Sequence, residues 1–279
     1  MNELNEIRIG AVSYLNTKPL VHGLADPATN QLGRSINLSF DLPSKLATQL
    51  RDRQLDVALI PSVELLRQPE YVVVSDACIA CRGPVWSVKL LSRCPLNQVR
   101  TVALDEGSMT SATMTRILFQ QQGIEPELSL LPIGANWNQL ESDAILLIGD
   151  RAMHIETALA ESTDSRFHSV IDLGQWWVDQ FQLPFVFATW TANSSLPTAL
   201  RQEVAVALSR SRDHGLQSIG KIATNEAAAY QLSTEQCQSY LQDNLYFVLG
   251  EREKQGLKLF HELASNVLEL DPNREVTFS

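Results

Sequence analysis

Hydrophobic and polar positions along the first 60 residues follow a pattern typical of parallel βα units. Short apolar runs predict strands over residues 7–12, 36–41 and 56–60. A helix start is expected soon after each strand, because Pro19 and Pro43 suit a first helical turn. In open α/β sheets ligands bind at the carboxyl ends of the strands, so this edge is the expected place for a site.

The rest of the chain predicts a second βα series and then a helical tail. Two extended runs are joined by a turn at residues 82–84, and later apolar runs alternate with a helix that Gly123 caps. From Pro197 onward the pattern is almost wholly helical. The further predicted strands cover residues 71–81, 85–92, 101–104, 128–133, 144–148 and 185–190, and the helix covers residues 108–122.

Two βα series followed by a helical tail predict an α/β protein of two lobes with a central cleft. We expect residues 1–90 and 185–279 to form the first lobe with the C-terminal helices, and residues 91–184 to form the second. This is the layout of the type-2 periplasmic-binding-protein-like fold, which holds its ligand between the lobes. A length of 279 residues suits one large or two ordinary domains.

Charge and targeting signals restrict the expected partners. The formal net charge is −10, so nucleic acid or an anionic membrane would be repelled over most of the surface. The first six residues lack the basic and apolar regions of a secretion signal, and no later apolar run approaches the roughly 18 residues that span a bilayer. We therefore expect a soluble cytoplasmic protein that binds a small molecule, with no nucleic acid or membrane partner.

Metal and nucleotide chemistry find little support in the sequence. Cys78 and Cys81 form a C-x-x-C pair, but they lie in an apolar, strand-like run, while Cys94 and Cys237 stand singly. The five histidines do not cluster, and no Walker loop, G-x-G-x-x-G, G-x-S-x-G or H-E-x-x-H motif occurs. We expect buried, reduced cysteines, no metal and no cofactor.

The octapeptide Ser-Tyr-Leu-Asn-Thr-Lys-Pro-Leu at residues 13–20 is the most specific motif of the chain. With five further segments in the same order, it resembles the chorismate dehydratase family of the futalosine route to menaquinone. Two positions depart from the family pattern: Met109 stands where arginine is usual, and Phe181-Gln182 where Thr-Gly is usual. The lost arginine puts in doubt an ion pair or a lobe contact rather than the fold. The further segments are residues 58–64, 83–88, 108–118, 148–150 and 183–190.

The resemblance implies a cofactor-free hydro-lyase that converts chorismate to 3-[(1-carboxyvinyl)oxy]benzoate, the first step of futalosine-pathway menaquinone biosynthesis. Asn16 and Ser87 match catalytic positions of the family. Chorismate is a dicarboxylate, and helix starts near Asn16 and Ser108, on opposite lobes, would offer N–H groups to two anionic groups. The expected substrate-binding residues are Ser13, Tyr14, Thr17, Ser108, Thr110, Ser111, Gly149 and Asp150.

Each of these residues also has a simpler structural interpretation. Asn16 or Thr17 would serve as a helix cap, Ser87 as a small residue on a sheet face, and the serines and threonine at 108–111 as a capping cluster. Trp176-Trp177 is better explained as core than as a stacking platform for a ring. The sequence does not place the two acidic residues of the matched motifs, Glu64 and Asp150.

Two alternative functions remain open. The dihydroxynaphthoate synthase of the same pathway shares the fold, but it usually carries a Ser-x-Cys-Pro-Asn-Asp-type first loop in place of residues 13–17. A non-catalytic cytosolic binding protein of the same fold is the alternative from another class, since this fold mostly serves capture and delivery. Turnover of chorismate would separate an enzyme from a binding protein.

Overall fold

The structure is a computed structural model that describes residues 6–155, 158–159, 166–271 and 274–279. Its strands are β1 (Glu6–Val12), β2 (Ser35–Asp41), β3 (Val57–Pro61), β4 (Tyr71–Cys81), β5 (Val88–Ser92), β6 (Thr101–Asp105), β7 (Glu127–Leu131), β8 (Ala144–Ile148), β9 (Ser169–Asp172), β10 (Phe185–Asn193), β11 (Tyr246–Val248) and β12 (Thr277–Phe278). Its α-helices are α1 (Lys18–Val21), α2 (Pro27–Asn30), α3 (Pro43–Arg51), α4 (Glu64–Arg67), α5 (Met109–Gln121), α6 (Asp150–Met153), α7 (Leu173–Phe181), α8 (Thr198–Gln217), α9 (Ile219–Glu226), α10 (Thr234–Ser239) and α11 (Glu251–Leu268).

The strands form two separate sheets, each of mixed direction. The first has the order β11-β4-β10-β3-β1-β2, with β12 paired to β4, and the second has the order β7-β6-β8-β5-β9. In the first sheet β1 runs parallel to β2 and β3, while β10 is antiparallel to β3 and β4. In the second, β6 is parallel to β7 and β8, and β5 is antiparallel to β8 and β9. The predicted α/β architecture is therefore confirmed.

The chain crosses between the sheets twice, once after β4 and once before β10. The strand predicted to begin at Val85 begins instead at Val88. The reason lies in the backbone at Trp86, whose φ is 63°, a left-handed conformation that interrupts an extended chain. The N–H of Ser87 donates to the carbonyl oxygen of Val85 at 2.7 Å, which closes a three-residue turn in front of the strand.

The central strands are buried and mostly apolar because both of their faces are covered. Every residue of β3, β5 and β8 is buried, as expected for strands that helices cover on both sides. Trp177 is fully buried and packs edge-to-face on Phe185 and Phe260, which confirms its predicted core role. Trp176 is partly buried and packs against Phe181.

The helical tail packs on the first sheet and also contacts helix α5, which follows β6 of the second sheet. Helix α8 contacts β4 and α1, while α11 contacts both β10 and α5. Gly256 lets α11 approach closely, because a Cβ there would lie 2.0 Å from the carbonyl oxygen of Pro184. The tail also supplies β11 and β12, two short strands along β4 that the sequence pattern did not predict.

Candidate functional site

A cavity lies between the two sheets, at the carboxyl ends of β1, β6 and β8. It contains about 560 Å³ of space free of protein atoms, part of it open to solvent. The position is the sheet edge where ligands of α/β proteins bind. The lining residues are Val12, Tyr14, Asn16, Pro43, Pro61, Ile79, Val85, Ser87, Val88, Gly107, Ser108, Met109, Thr110, Ser111, Ile148, Gly149, Phe187 and Ala188.

Asn16 reaches the cavity from a 3₁₀ turn, Leu15–Thr17, that follows β1. Its amide oxygen Oδ1 accepts a long hydrogen bond of 3.4 Å from the hydroxyl of Thr17, which is itself buried and does not line the cavity. This bond occupies the oxygen end of the Asn16 amide.

The helix start near Asn16, predicted as an anion site, has two of its backbone N–H groups bonded within the turn. The N–H of Thr17 donates to the carbonyl oxygen of Tyr14, the N–H of Lys18 donates to that of Leu15, and Pro19 has no N–H. The ammonium of Lys18 pairs with Glu226 of the tail at 2.9 Å. The N–H groups of Thr17 and Lys18 are therefore already bonded within the turn.

Ser87 enters the cavity wall from the opposite sheet, at the turn in front of β5. The turn is held by Asp172, whose carboxylate accepts the N–H of Val85 at 2.9 Å and that of Trp86 at 2.7 Å. The carbonyl oxygen of Ser87 accepts the N–H of Gly149 at 2.8 Å. Ser87 is 2% exposed, so neighbouring protein groups, rather than solvent, set the direction of its hydroxyl.

Tyr240 joins these two predicted catalytic residues, and the sequence analysis missed it. It is buried in a π-helical turn of the tail, Tyr240–Asn244, a geometry that occurs often at functional sites. Its hydroxyl donates to Ser87 Oγ at 2.9 Å and also interacts with the side chain of Asn16. Burial raises the pKa of Tyr240, so this hydroxyl keeps its proton.

The N-terminus of α5 supplies the hydroxyl donors of the second lobe. Ser108 stands at the cap position but makes no side-chain capping bond, and Ser108, Thr110 and Ser111 all line the cavity. The first-turn N–H groups of a helix lack partners within the helix, and its dipole favours anions. The capping-cluster alternative is therefore weakened for Ser108, and this helix end suits a carboxylate.

Tyr14, which follows β1 of the first sheet, packs against two glycines that follow β6 and β8 of the second sheet. A Cβ at Gly149 would lie 3.2 Å from the Tyr14 ring, and one at Gly107 would lie 2.9 Å from its hydroxyl oxygen. Gly149 also has φ 58°, which favours glycine. Burial raises the pKa of Tyr14, with the carboxylates of Asp105 and Asp150 acting in the same direction. Both glycines thus keep room for a ring that closes one end of the cavity.

Three of the predicted binding residues do not line the cavity. Ser13 is exposed, and its N–H and hydroxyl both donate to the carbonyl oxygen of Asp41. Thr17 lies behind Asn16. Asp150 begins α6 directly after Gly149, and burial raises its pKa to about 6. Glu64, the other acidic residue of the motifs, is buried in an ion pair with Arg67 at 2.8 Å.

The cavity holds neutral donors rather than charged ones. Among the described residues that line it, none is a lysine, arginine, aspartate or glutamate. Met109, the position where the resembling family usually has arginine, lies in the cavity wall. The departure at this position therefore alters the charge of the cavity itself.

The described ranges lack metal-binding geometry. They contain no group of three or more histidine, cysteine, aspartate or glutamate residues able to hold a metal ion. Cys78 and Cys81 are free and buried in β4, and burial raises the pKa of both thiols. Within the same ranges no helix is long and apolar enough to cross a membrane.

This chain is similar to known proteins over most of its length. The menaquinone biosynthesis family matches residues 7–266. The chorismate dehydratase of Thermus thermophilus is 28% identical over 264 residues, 91% of this chain and 93% of the relative. The chorismate dehydratase of Campylobacter jejuni is 25% identical over 252 residues, 90% of this chain and 94% of the relative.

Among solved structures, the periplasmic aliphatic sulphonate binding protein of Escherichia coli is similar with a TM-score of 0.67. The similarity covers 98% of this chain and 92% of that protein at 15% sequence identity. At this identity the likeness concerns the fold alone. It confirms the periplasmic-binding-protein-like fold that the sequence predicted.

Proposed function

Because this chain belongs to the menaquinone biosynthesis family, we propose that it is a hydro-lyase that dehydrates chorismate to 3-[(1-carboxyvinyl)oxy]benzoate. The observation that carries the proposal is that Asn16 and Ser87, from opposite sheets, line one cavity. The curated relatives named chorismate dehydratase span almost the whole chain and support the same reaction. The product would enter the futalosine route to menaquinone in the cytoplasm.

The cavity suits a small dianion with an apolar ring. Hydroxyls at the N-terminus of α5 and the first-turn N–H groups provide an anion site for one carboxylate. Apolar side chains of the first lobe, among them Val12, Pro61 and Phe187, provide a surface for the ring. Neutral donors do not cancel the charge of the bound dianion. Its carboxylate therefore remains available for the proton transfer described next.

The reaction removes a proton from the ring carbon that bears the enolpyruvyl ether and hydroxide from the neighbouring carbon, and it leaves an aromatic ring and water. The acidic carbon is conjugated through a double bond to the ring carboxylate, so a stepwise path spreads negative charge into that carboxylate. Donors placed at the carboxylate then stabilise the transition state more than the ground state. Aromatisation supplies the driving force.

The substrate's own enolpyruvyl carboxylate is the proposed proton acceptor. No aspartate or glutamate is among the described residues that line the cavity, and Glu64 is held in its ion pair with Arg67. Asn16 and Ser87 would orient the ring and hydrogen-bond the departing hydroxyl. Tyr14 and the α5 hydroxyls would hold the substrate in this pose.

The direct test incubates purified protein with chorismate and follows loss of the cyclohexadiene absorbance and appearance of the aromatic ether. Stoichiometric conversion is the expected result. Binding of chorismate without conversion would instead favour the non-catalytic binding protein and overturn the proposal.

Variants of the two central residues locate the reaction in this cavity. Ser87→Ala is expected to lower turnover on the order of a hundredfold, because an orienting donor contributes roughly 2 to 4 kcal/mol. Asn16→Asp should lower it further, since it adds a negative charge beside a dianion. Ser13→Ala, outside the cavity, is the matched control and should retain turnover. Normal rates for both site variants would show that the site is misplaced.

A further inference from the structure

Three polar side chains from three separate parts of the chain meet behind the cavity wall. Asn16 follows β1, Ser87 precedes β5, and Tyr240 lies in the tail. Asn16 and Ser87 line the cavity, whereas Tyr240 does not. Tyr240 is 1% exposed, so its hydroxyl meets these protein groups rather than bulk water.

The hydrogen bonds among these groups have a defined direction. Tyr240 donates its proton to Ser87 Oγ at 2.9 Å. The amide oxygen of Asn16 accepts from the Thr17 hydroxyl, and the Asn16 side chain also interacts with the hydroxyl of Tyr240. The tail therefore delivers a donor to Ser87, and the side chain of Asn16 lies beside that donor.

A serine hydroxyl has a single proton to donate. Because Ser87 Oγ already accepts from Tyr240, its own proton is free to point away from Tyr240, toward the cavity. Successive hydrogen bonds of this kind polarise one another and strengthen the last donor. A strengthened donor at Ser87 is what a departing hydroxyl requires.

We propose that Tyr240 is a positioning residue that turns Ser87 into a hydrogen-bond donor directed at the substrate's leaving hydroxyl. The inference deepens the proposed function and rests on it. It also gives the C-terminal tail a part in the chemistry, since the tail delivers this hydroxyl to a site built by the two lobes.

The kinetic test compares Tyr240→Phe, which keeps the buried ring and removes the hydroxyl, with the wild-type protein. We expect kcat to fall about tenfold or more while KM stays within about twofold, because the lost bond acts on the transition state. Tyr230→Phe removes a hydroxyl from the same tail outside the cavity wall, and it should leave both constants unchanged. Thermal unfolding of each variant reports whether the fold is intact.

A double mutant separates positioning through Ser87 from a merely structural effect. In the Ser87→Ala background the Tyr240→Phe change should lower kcat by about twofold or less, because Tyr240 then has no serine to direct. An additive loss, or a Tyr240→Phe enzyme with normal kcat, would overturn the inference and leave the proposed function standing.

A second measurement on the intact chain does not depend on turnover. The buried hydroxyl proton of Tyr240 should exchange slowly and give a proton NMR signal that is lost in Tyr240→Phe and shifted in Ser87→Ala. If the wild-type protein fails to convert chorismate, the proposed function fails. The signal still shows whether Tyr240 bonds Ser87. A signal that Ser87→Ala leaves unmoved would refute the contact itself.

Discussion

Asp150 holds a half-buried carboxylate one residue beyond the cavity wall. Its Oδ1 atom is buried without a hydrogen-bond partner in the described part of the chain. Burial raises the pKa of Asp150 to about 6, and the nearby His154 opposes the shift. The folded protein therefore holds this proton at pH values where a free aspartate is ionised.

Replacing Asp150 with asparagine should stabilise the protein more at pH 7.5 than at pH 4. An aspartate with a raised pKa makes the folded state bind more protons than the unfolded state, so its stability falls as pH rises from about 4 to about 6. A neutral asparagine avoids that loss, and after allowance for partial solvent exposure the gain is on the order of 1 kcal/mol. Denaturant unfolding at both pH values measures it, with the exposed Glu125→Gln as control.

The same variant tests the proton acceptor. Asp150→Asn should retain turnover, because the substrate's carboxylate is the proposed base. If turnover vanished while product binding persisted, a protein carboxylate would be the base and the substrate-assisted mechanism would be wrong.

At the residue scale, the sequence motifs located the site residues that lie next to the strand ends within those motifs. Asn16 and Ser87 stand in segments that resemble a family, and the structure brings both to one cavity. Tyr240 is 153 residues from Ser87 along the chain, in a tail whose pattern predicts helix and nothing else. Its role depends on how the tail packs, which periodicity and turn signals do not encode.

Among the elements, the turn before β5 carries the clearest backbone strain. Trp86 adopts φ 63°, a conformation that costs a bulky residue of order 1 to 3 kcal/mol. Asp172 opposes this cost through three backbone N–H groups, since it also accepts from Gln175 at the start of α7. One carboxylate at the end of β9 thus caps a helix and fixes the turn that presents Ser87.

Replacing Asp172 with alanine should lower both stability and turnover. Three donors lose their acceptor, which should reduce the free energy of unfolding by roughly 2 to 4 kcal/mol. Turnover per folded molecule should also fall, because Ser87 moves with its turn. Asp172→Asn keeps a carbonyl acceptor and should lose less of both, as denaturant unfolding and initial rates would show.

Asp143 offers a matched control for this effect. It accepts the N–H groups of Arg100 and Thr101 at 2.9 and 3.0 Å in the same lobe and does not line the cavity. Asp143→Ala should therefore destabilise the protein yet leave turnover per folded molecule intact. Equal loss of turnover in both alanine variants would show that the turn before β5 does not position Ser87 for the reaction.

The sequence predicted a strand correctly where its apolar run is continuous. It missed strands that form only because they pair with a distant strand. The strand predicted at residues 144–148 has those bounds in the structure, because all five side chains are buried. The strands β11 and β12 have three and two residues and exist through pairing with β4. Strands this short have no alternation to detect, and their stability comes from a partner that the local sequence does not name.

On the scale of the whole molecule, the two sheets meet through contacts around the cavity and through apolar packing behind it. Tyr14 packs on Gly149, and Tyr240 of the tail bonds Ser87. The ring of His154 in the second lobe bonds the carbonyl oxygen of Tyr230 in the tail at 2.9 Å. Behind the cavity one continuous apolar core joins the two sheets, and α11 contacts both α5 and β10. A ligand that touches both sheets therefore acts on the cavity side of this core, where it favours the closed arrangement.

Small-angle scattering should therefore show a smaller radius of gyration when 3-[(1-carboxyvinyl)oxy]benzoate is added. The proposed anion donors of α5 and the amide of Asn16 lie on different lobes, so a bound dicarboxylate that contacts both favours the closed arrangement over open ones. Benzoate, with one carboxylate, is the matched control, since it can satisfy one lobe and should leave the radius unchanged. An unchanged radius with saturating product would mean that the lobes are already closed without ligand, or that the site lies within one lobe.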